Sequence, residues 1–393
     1  MRVKMLKAWG LSNPGDVIDP PVGVAIELIQ SGRAVEVDDF RSNANRPYLT
    51  FTTIFQGGFD GVNIFDTDEA LMTDSAVQGD MSDVDRGLKS GPTVTSYLKA
   101  IEIIKNPTNA DIGLLAVPGI RDQSVTDEAA RAAEERYDTL YIMDMEQLNS
   151  ESMPMSASNL GVDNAPSISL SVANFTSRGV NNSFVATYFP DVVMRPNSLK
   201  DKEIVVPPSV VVLGGIAYND AVGASWLAPA GLRRGLLSTT LTPVVQLDEP
   251  SLDLLYKNGI NPLYSTTNIS QAGVSTSGVV IWGQKTTLKG ESPLTRLAVR
   301  RLLIQIRKSA RALAQQYLFE PNSDGVAAAL ESSLSSLLSG ILNNNGIENF
   351  RIALDMPSSN NVNVENNRLS GRIYIQPKKT LEYVTLDFDT SSI

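Results

Sequence analysis

"DIGLLAVPGIRDQSVTDEAARAAEERYDTLYIMDM", residues 111–145, decides the fold class. Its first segment, 111–119, is apolar and stops at Pro118 and Gly119, as a buried strand does before a turn. The next, 124–137, starts at Ser124, read as the capping residue, with acidic residues in its first turn and an alanine-rich body, which predicts a helix. The third, 138–145, is apolar again and reads as a strand. Strand, helix and strand in this order form a crossover unit, which sets the two strands parallel in one sheet.

The same alternation extends outward. Upstream, "YLTFTTIF" (48–55) is rich in β-branched and aromatic residues and reads as a strand. Residues 93–106 carry Val94, Leu98, Ile101 and Ile104 at helical spacing. Downstream, a Ser- and Asn-rich loop covers 148–165, and a strand follows at 183–190. Pro207 and Pro208 open a short buried helix over 208–219, because a missing N–H costs least in the first turn. A strand is read at 277–287. Residues 293–321 are the most periodic text in the chain, with Val299, Leu302, Leu303, Ile306, Ala310, Leu313 and Tyr317 forming one apolar stripe. Arg296, Arg300, Arg307 and Arg311 are expected on the opposite surface of that helix. A strand at 347–356 and a polar linker at 357–367 precede two strands in 372–390, split by Pro377, Lys378 and Lys379.

The fold class expected is therefore α/β with an α+β mixture: mixed sheets flanked by helices, ending in a C-terminal strand arm. A two-stranded ribbon is marginal in water alone. The arm residues Arg372, Ile373, Tyr374, Ile375, Val384, Leu386 and Phe388 are accordingly expected to pair with a sheet in a neighbouring molecule. Four segments are read: a small β-rich module or linking arm at 1–38, with a helix from Val22 to Ser31 and a strand from Ala34 to Val37; an outer or middle α/β domain at 39–195; an inner domain at 196–356; and the linker with its arm at 357–393.

Composition narrows the chemistry. The 393 residues include no histidine and no cysteine, which removes thiol nucleophiles, thiolate metal sites and the commonest general base. An active site would have to use carboxylates, lysines or tyrosines, or a hard cation held by oxygen ligands. The net charge of −10 is uneven: residues 1–195 hold 15 Lys/Arg against 27 Asp/Glu, and residues 196–393 hold 18 against 16. Acidic partners are expected to dock on the second half. No basic run with interleaved aromatics argues for direct nucleic-acid binding. No run of apolar residues suggests membrane insertion, and the first residues lack the pattern of a cleaved leader.

Each motif that resembles a site has a plainer reading. "WLAPAGLRRG" (226–235) fits neither phosphate-loop spacing, so Trp226 and Pro229 are read as core anchors, and Arg233 and Arg234 as partners for carboxylates. Asp66, Asp68, Glu69 and Asp74 lack the glycine and distal glutamate of a calcium loop and read as a solvated acidic stretch. Gly214 and Gly215 read as close helix packing, and Trp282 with Gly283 as core and tight strand geometry. Catalytic residues, metal ligands and cofactors are therefore expected to be none.

Taken in order, "FQGGFDG", "LLAVPGIRDQSV", "RYDTLYIMD", "VPPSVVVLGGIAYND", "WLAPAGLRRG", "NGINPLY", "VIWGQKT", "RRLLIQIRKSA", "YLFEPN" and "RIYIQPKKTLEYV" resemble successive blocks of the contractile tail sheath proteins of long-tailed bacteriophages. The resemblance covers roughly residues 50–390; residues 1–38 fit it poorly. It implies a structural subunit of the virion tail, assembled in the host cytoplasm as stacked sixfold rings around a tail tube. Contraction drives that tube through the host envelope to deliver the genome. The implied partners are the chain itself, the tube protein, and baseplate and neck or terminator proteins. Arg233, Arg234, Arg296, Arg300, Arg307 and Arg311 are the candidate ionic contacts to tube or neighbour. The reading kept beside it is an α/β enzyme with a carboxylate or lysine site.

Overall fold

The computed structural model describes residues 3–5, 17–18, 27–28, 31 and 34–36, then 72–82, 84, 87–155, 160–161, 164–195, 203–237, 239–271, 274–359, 367–380 and 382. The expected strand at 48–55, the acidic residues Asp66, Asp68 and Glu69, and Val384, Leu386 and Phe388 lie outside the described residues. Two compact units divide the chain, Met1–Asp66 and Thr67–Ile393. In the first, β1 (Val3–Met5) pairs antiparallel with both β2 (Val17–Ile18) and β3 (Ala34–Glu36). Leu28 is buried there.

The second unit opens with α1 (Asp74–Ser82) and α2 (Pro92–Lys105), and then the crossover read from 111–145 appears as β4 (Leu114–Ala116), α3 (Gln123–Arg136) and β5 (Leu140–Asp144). β4 and β5 are parallel, with Leu114 opposite Leu140. The helix begins one residue before the serine expected to cap it. Asp122 is the true cap: its carboxylate accepts from the Ser124 N–H at 2.8 Å and from its hydroxyl at 2.6 Å. A charged acceptor at the helix N-terminus gains from the dipole as well as the bond, which is why it displaces the neighbouring serine.

A second crossover, α4 (Ile168–Ser177), leads to β6 (Val185–Phe189). Every residue of β5 and β6 is buried, so both sheet faces are covered, as parallel strands require. The chain then makes β7 (Val192–Met194), β8 (Ile204–Val206), α5 (Pro208–Val222), β9 (Leu236–Leu237), β10 (Thr240–Pro243) and α6 (Glu249–Lys257). The long strands β11 (Ile260–Gln271) and β12 (Val274–Ile281) follow. The main sheet has six strands in the order β4-β5-β6-β11-β12-β9. β4, β5, β6 and β11 run parallel, and β12 and β9 add antiparallel. This is the expected mixed sheet. It takes three strands from each side of residue 195, so one core joins the stretches read as outer and inner domains. A smaller antiparallel sheet has the order β10-β7-β8.

Paired glycines in α5 test the packing. A Cβ on Gly215 would sit 2.9 Å from Leu237 and 3.2 Å from Ile281, whereas one on Gly214 would meet nothing within 4 Å. Gly215→Ala should lower the unfolding free energy by about 0.5–2 kcal/mol, the overpacking cost less the helix-propensity gain. Gly214→Ala, in the same helix but facing open space, should raise it by about 0.5–1 kcal/mol. Urea unfolding of the two variants checks the opposite signs.

Last come α7 (Leu297–Gln315), α8 (Asp324–Asn343), β13 (Ile347–Leu354) and β14 (Gly371–Pro377). α8 is long and apolar enough by composition to cross a bilayer. Here its Leu338 and Ile341 instead pack with Leu302 and Ile306 of α7 and with Ile347. β13 and β14 form an antiparallel pair with Phe350 opposite Ile375 and Ile352 opposite Ile373, and this apolar face covers the same cluster.

Candidate inter-subunit surfaces and the charged core

The expectation that Arg372, Ile373, Tyr374 and Ile375 lack a partner in their own chain is corrected. β13 supplies one: Arg372 faces Ala353, and Tyr374 faces Arg351. Their alternation explains it, since Ile373 and Ile375 point into the cluster while Arg372 and Tyr374 stay exposed. Among the described residues this sheet has two strands, so each strand keeps one edge without a strand partner. Such an edge presents a row of unpaired N–H and C=O groups to any incoming strand.

The arginines of α7 do not form a solvated stripe opposite its apolar face. At 3.6 residues per turn, positions 296, 300, 307 and 311 lie about 100° around the helix from the stripe, so they flank it. Arg300 is 9% exposed, stacks 3.9 Å over the Phe184 ring and donates to Ser183 Oγ. Arg307 lies 4.8 Å over Tyr137, and Arg296 pairs with Glu382 at 2.6 Å. Arg311 is exposed with no carboxylate partner among the described residues. Arg233 is likewise exposed and unpaired there, while Arg234 donates to the Ala228 carbonyl at 3.2 Å, inside its own loop. Of the six candidate ionic contacts, Arg233 and Arg311 are exposed and have neither a carboxylate nor a ring partner among the described residues.

The loop 226–235 is anchored as read. Pro229 is buried, and Trp226 packs on the α7–α8 cluster while its indole N–H donates to the Asn344 carbonyl at 3.2 Å. Trp282 departs from the reading: it is 42% exposed, because β12 ends at Ile281 rather than running to 287. Gly283 keeps its tight position, since a Cβ there would come within 2.7 Å of Asn261. On α5, Val210, Tyr218 and Val222 form an exposed apolar ridge. Leu318 and Phe319 stand exposed after α7.

Sequence reasoning missed a buried charge cluster that ties these elements together. Arg121, 2% exposed, donates to Asp191 at 2.6 Å and to the Met155 carbonyl at 3.1 Å. Its backbone N–H donates to Asp74 at 2.8 Å. Asp74 is thus a buried acceptor holding α1 to the β4–α3 turn, not part of a solvated acidic loop. Asp191 also accepts from the Gln147 amide at 2.5 Å. At the end of β5, Asp144 accepts from the Gly119 N–H (2.9 Å), the Ser209 N–H (2.9 Å) and the Ser209 hydroxyl (2.6 Å), so it caps α5 and pins the turn after β4. The partners are 47 and 70 residues from Arg121 in sequence, a separation no local pattern encodes.

Three buried carboxylates around one guanidinium carry surplus negative charge. Burial raises the pKa of Asp144 from 3.8 to about 6, against the lowering effect of its Ser209 and Gly119 hydrogen bonds and of Arg121. Burial also pushes Asp191 and Asp74 up. A folded-state pKa above the unfolded one means that the folded state binds the extra proton. Stability from Asp144 is thus full below about pH 4 and lost as pH rises through about 6. The unfolding midpoint should therefore rise on going from pH 7 to pH 5, and Asp144→Asn should flatten that slope. A midpoint that falls over this interval in the wild type would contradict the assignment.

No family model matches the chain. Over 192 residues it is 30% identical to the tail sheath protein of Vibrio phage KVP40, covering 49% of this chain and 27% of that protein. It is 27% identical over 183 residues to the tail sheath protein of Enterobacteria phage T4, covering 47% and 27%. The match thus spans about half of this chain and about a quarter of these relatives' length. Among solved structures, the sheath complex of the PVC extracellular contractile injection system in its contracted state superposes with a TM-score of 0.55 at 16% identity, over 75% of each chain. The contracted helical sheath of the anti-feeding prophage gives 0.54 at 18% identity, over 78% of this chain and 75% of that one. The chain is similar in sequence to phage tail sheath proteins over about half its length, and similar in fold to the sheaths of contractile injection systems over about three quarters.

Proposed function

We propose that this chain is a structural subunit of a contractile phage tail sheath. Copies stack as sixfold rings around a tail tube, and contraction of the stack drives the tube through the host envelope to deliver the genome. The observation that carries the reading is the sheath fold shared over three quarters of the chain. The open-edged β13–β14 pair supports it, because an edge that accepts a strand suits a protein whose work is polymerisation.

The partners in this reading are further copies of the chain, the tube protein, the baseplate and the neck or terminator proteins, with no direct nucleic-acid contact and no membrane insertion. The protein resides in the virion tail after assembly in the host cytoplasm. Residues 372–375 remain in the chain's own sheet, and the strand expected around Val384, Leu386 and Phe388 is the segment that would reach a neighbour. Arg233 and Arg311 are the cations that would meet an acidic surface on tube or neighbour. The enzyme reading loses ground on chemistry. The carboxylates with raised pKa values, Asp74, Asp144 and Asp191, are 7%, 1% and 0% exposed and engaged with donors of the chain itself, which leaves them no open approach for a substrate.

High-speed sedimentation of the purified chain tests the proposal. Polymers that pellet and redissolve on dilution are expected. A monomer at every concentration would refute it.

A further inference from the structure

The segment "KTTLKG" (285–290), shortly after β12, forms one wall of a recess of about 350 Å³. Its other walls come from the C-terminal end of α6, from α4 through Phe175 and Thr176, and from Thr295 and Arg296 just before α7. Four cations line it, Lys257, Lys285, Lys289 and Arg296, and no aspartate or glutamate does. In a chain of net charge −10 that is a local reversal of sign.

The carboxylate paired with one of these cations is itself fully engaged. Glu382 pairs with Arg296 at 2.6 Å and accepts from Gln284 at 3.0 Å. Lys285 is held from behind: its ammonium donates to the Tyr256 carbonyl at 2.7 Å and lies 4.0 Å over the Tyr256 ring. That contact fixes the side chain and leaves the remaining N–H donors of the ammonium unassigned. Burial, and next to it the charge of Arg296, push the Lys285 pKa down, the mark of a cation short of negative charge. Lys257 and Lys289 have no carboxylate partner among the described residues. The Thr286, Thr287 and Thr295 hydroxyls each donate to a backbone carbonyl, so they brace the wall and leave recognition to the ammonium groups.

We infer that this recess binds a compact oxyanion, held by the Lys257, Lys285 and Lys289 ammonium groups above the Phe175 floor. Two sources offer that chemistry, free phosphate in solution and a carboxylate presented by a second copy of this chain. The phosphate arm is independent of the sheath reading, because it asks nothing of assembly.

The test titrates the whole chain with inorganic phosphate at constant ionic strength by isothermal calorimetry, beside the double variant Lys257→Gln, Lys289→Gln. Both side chains are exposed, and an unchanged unfolding midpoint in phosphate-free buffer verifies that the variant folds. Saturable binding of one phosphate per wild-type chain, weakened at least tenfold in the variant, establishes the site with a free anion as ligand. No phosphate binding, but self-association weakened at least tenfold in the variant, assigns the anion to a second copy. Phosphate binding and self-association that are both indifferent to the two substitutions overturn the inference. If the chain proves monomeric yet binds phosphate through these lysines, the recess stands and the sheath reading falls.

Discussion

Arg121→Ala should lower the unfolding free energy by about 3–5 kcal/mol, the cost of removing one partner from a buried ion pair. Arg121 and Asp191 are 2% and 0% exposed, so neither charge has water to fall back on when the other is lost. The guanidinium is also the cation of a cluster with two further buried carboxylates, Asp74 and Asp144. Without it, three carboxylates share one low-dielectric space. They should then take up protons more readily, so the loss should shrink as pH falls from 7 to 5. Urea unfolding at both pH values reads this, and an unchanged m-value verifies that the two states remain the same. A loss under about 1 kcal/mol at pH 7 would show that the cluster does not hold α1, β4 and β7 together as the distances indicate.

The second large effect separates folding from assembly. A chain ending at Glu382 keeps the Glu382 contacts to Arg296 and Gln284 and all of β14, and loses Val384, Leu386 and Phe388. It should melt within a few degrees of the full chain and fail to polymerise. A chain ending at Ser370 loses β14 as well. That uncovers Phe350, Ile352 and the α7–α8 cluster, at a cost of about 0.8–1.5 kcal/mol for each of Ile373 and Ile375, roughly half of full burial. The two truncations together show whether the arm and the hairpin are distinct parts. Normal polymers from the chain ending at Glu382 would refute the role given to the arm.

The crossover unit was legible because it is written in local text. Short apolar strands of three and five residues, an alanine-rich helix and a Pro-Gly stop need no knowledge of the rest of the chain. α5 and α7 were legible for the same reason. β11 was missed because its second half, "STTNISQ", is polar and reads as loop. α4 was missed because its serines and asparagine blend into the loop before it. α8 carried a usable signal, since Ala327, Leu330, Leu334, Leu338 and Ile341 recur at helical spacing, but the serines between them weaken the contrast.

Side-chain roles were less legible than elements. Arg300 looked solvent-facing because it is charged; it is buried because Phe184 and Ser183 offer a ring face and an acceptor from 117 residues away. Asp74 looked solvated because acidic residues surround it in sequence, yet the backbone N–H groups of Arg121 and Asp122 bury it. Both depend on contacts that only the folded chain creates. The hairpin pairing of β13 with β14 belongs to the same class, since the polar stretch between them hides the partnership.

Negative-stain electron microscopy of the purified full chain at polymerising concentration, with rotational analysis of end-on views, tests the central claim most directly. Rings or tubes with sixfold symmetry are the result predicted for a sheath subunit. A persistent monomer, or closed assemblies of another symmetry, would contradict it.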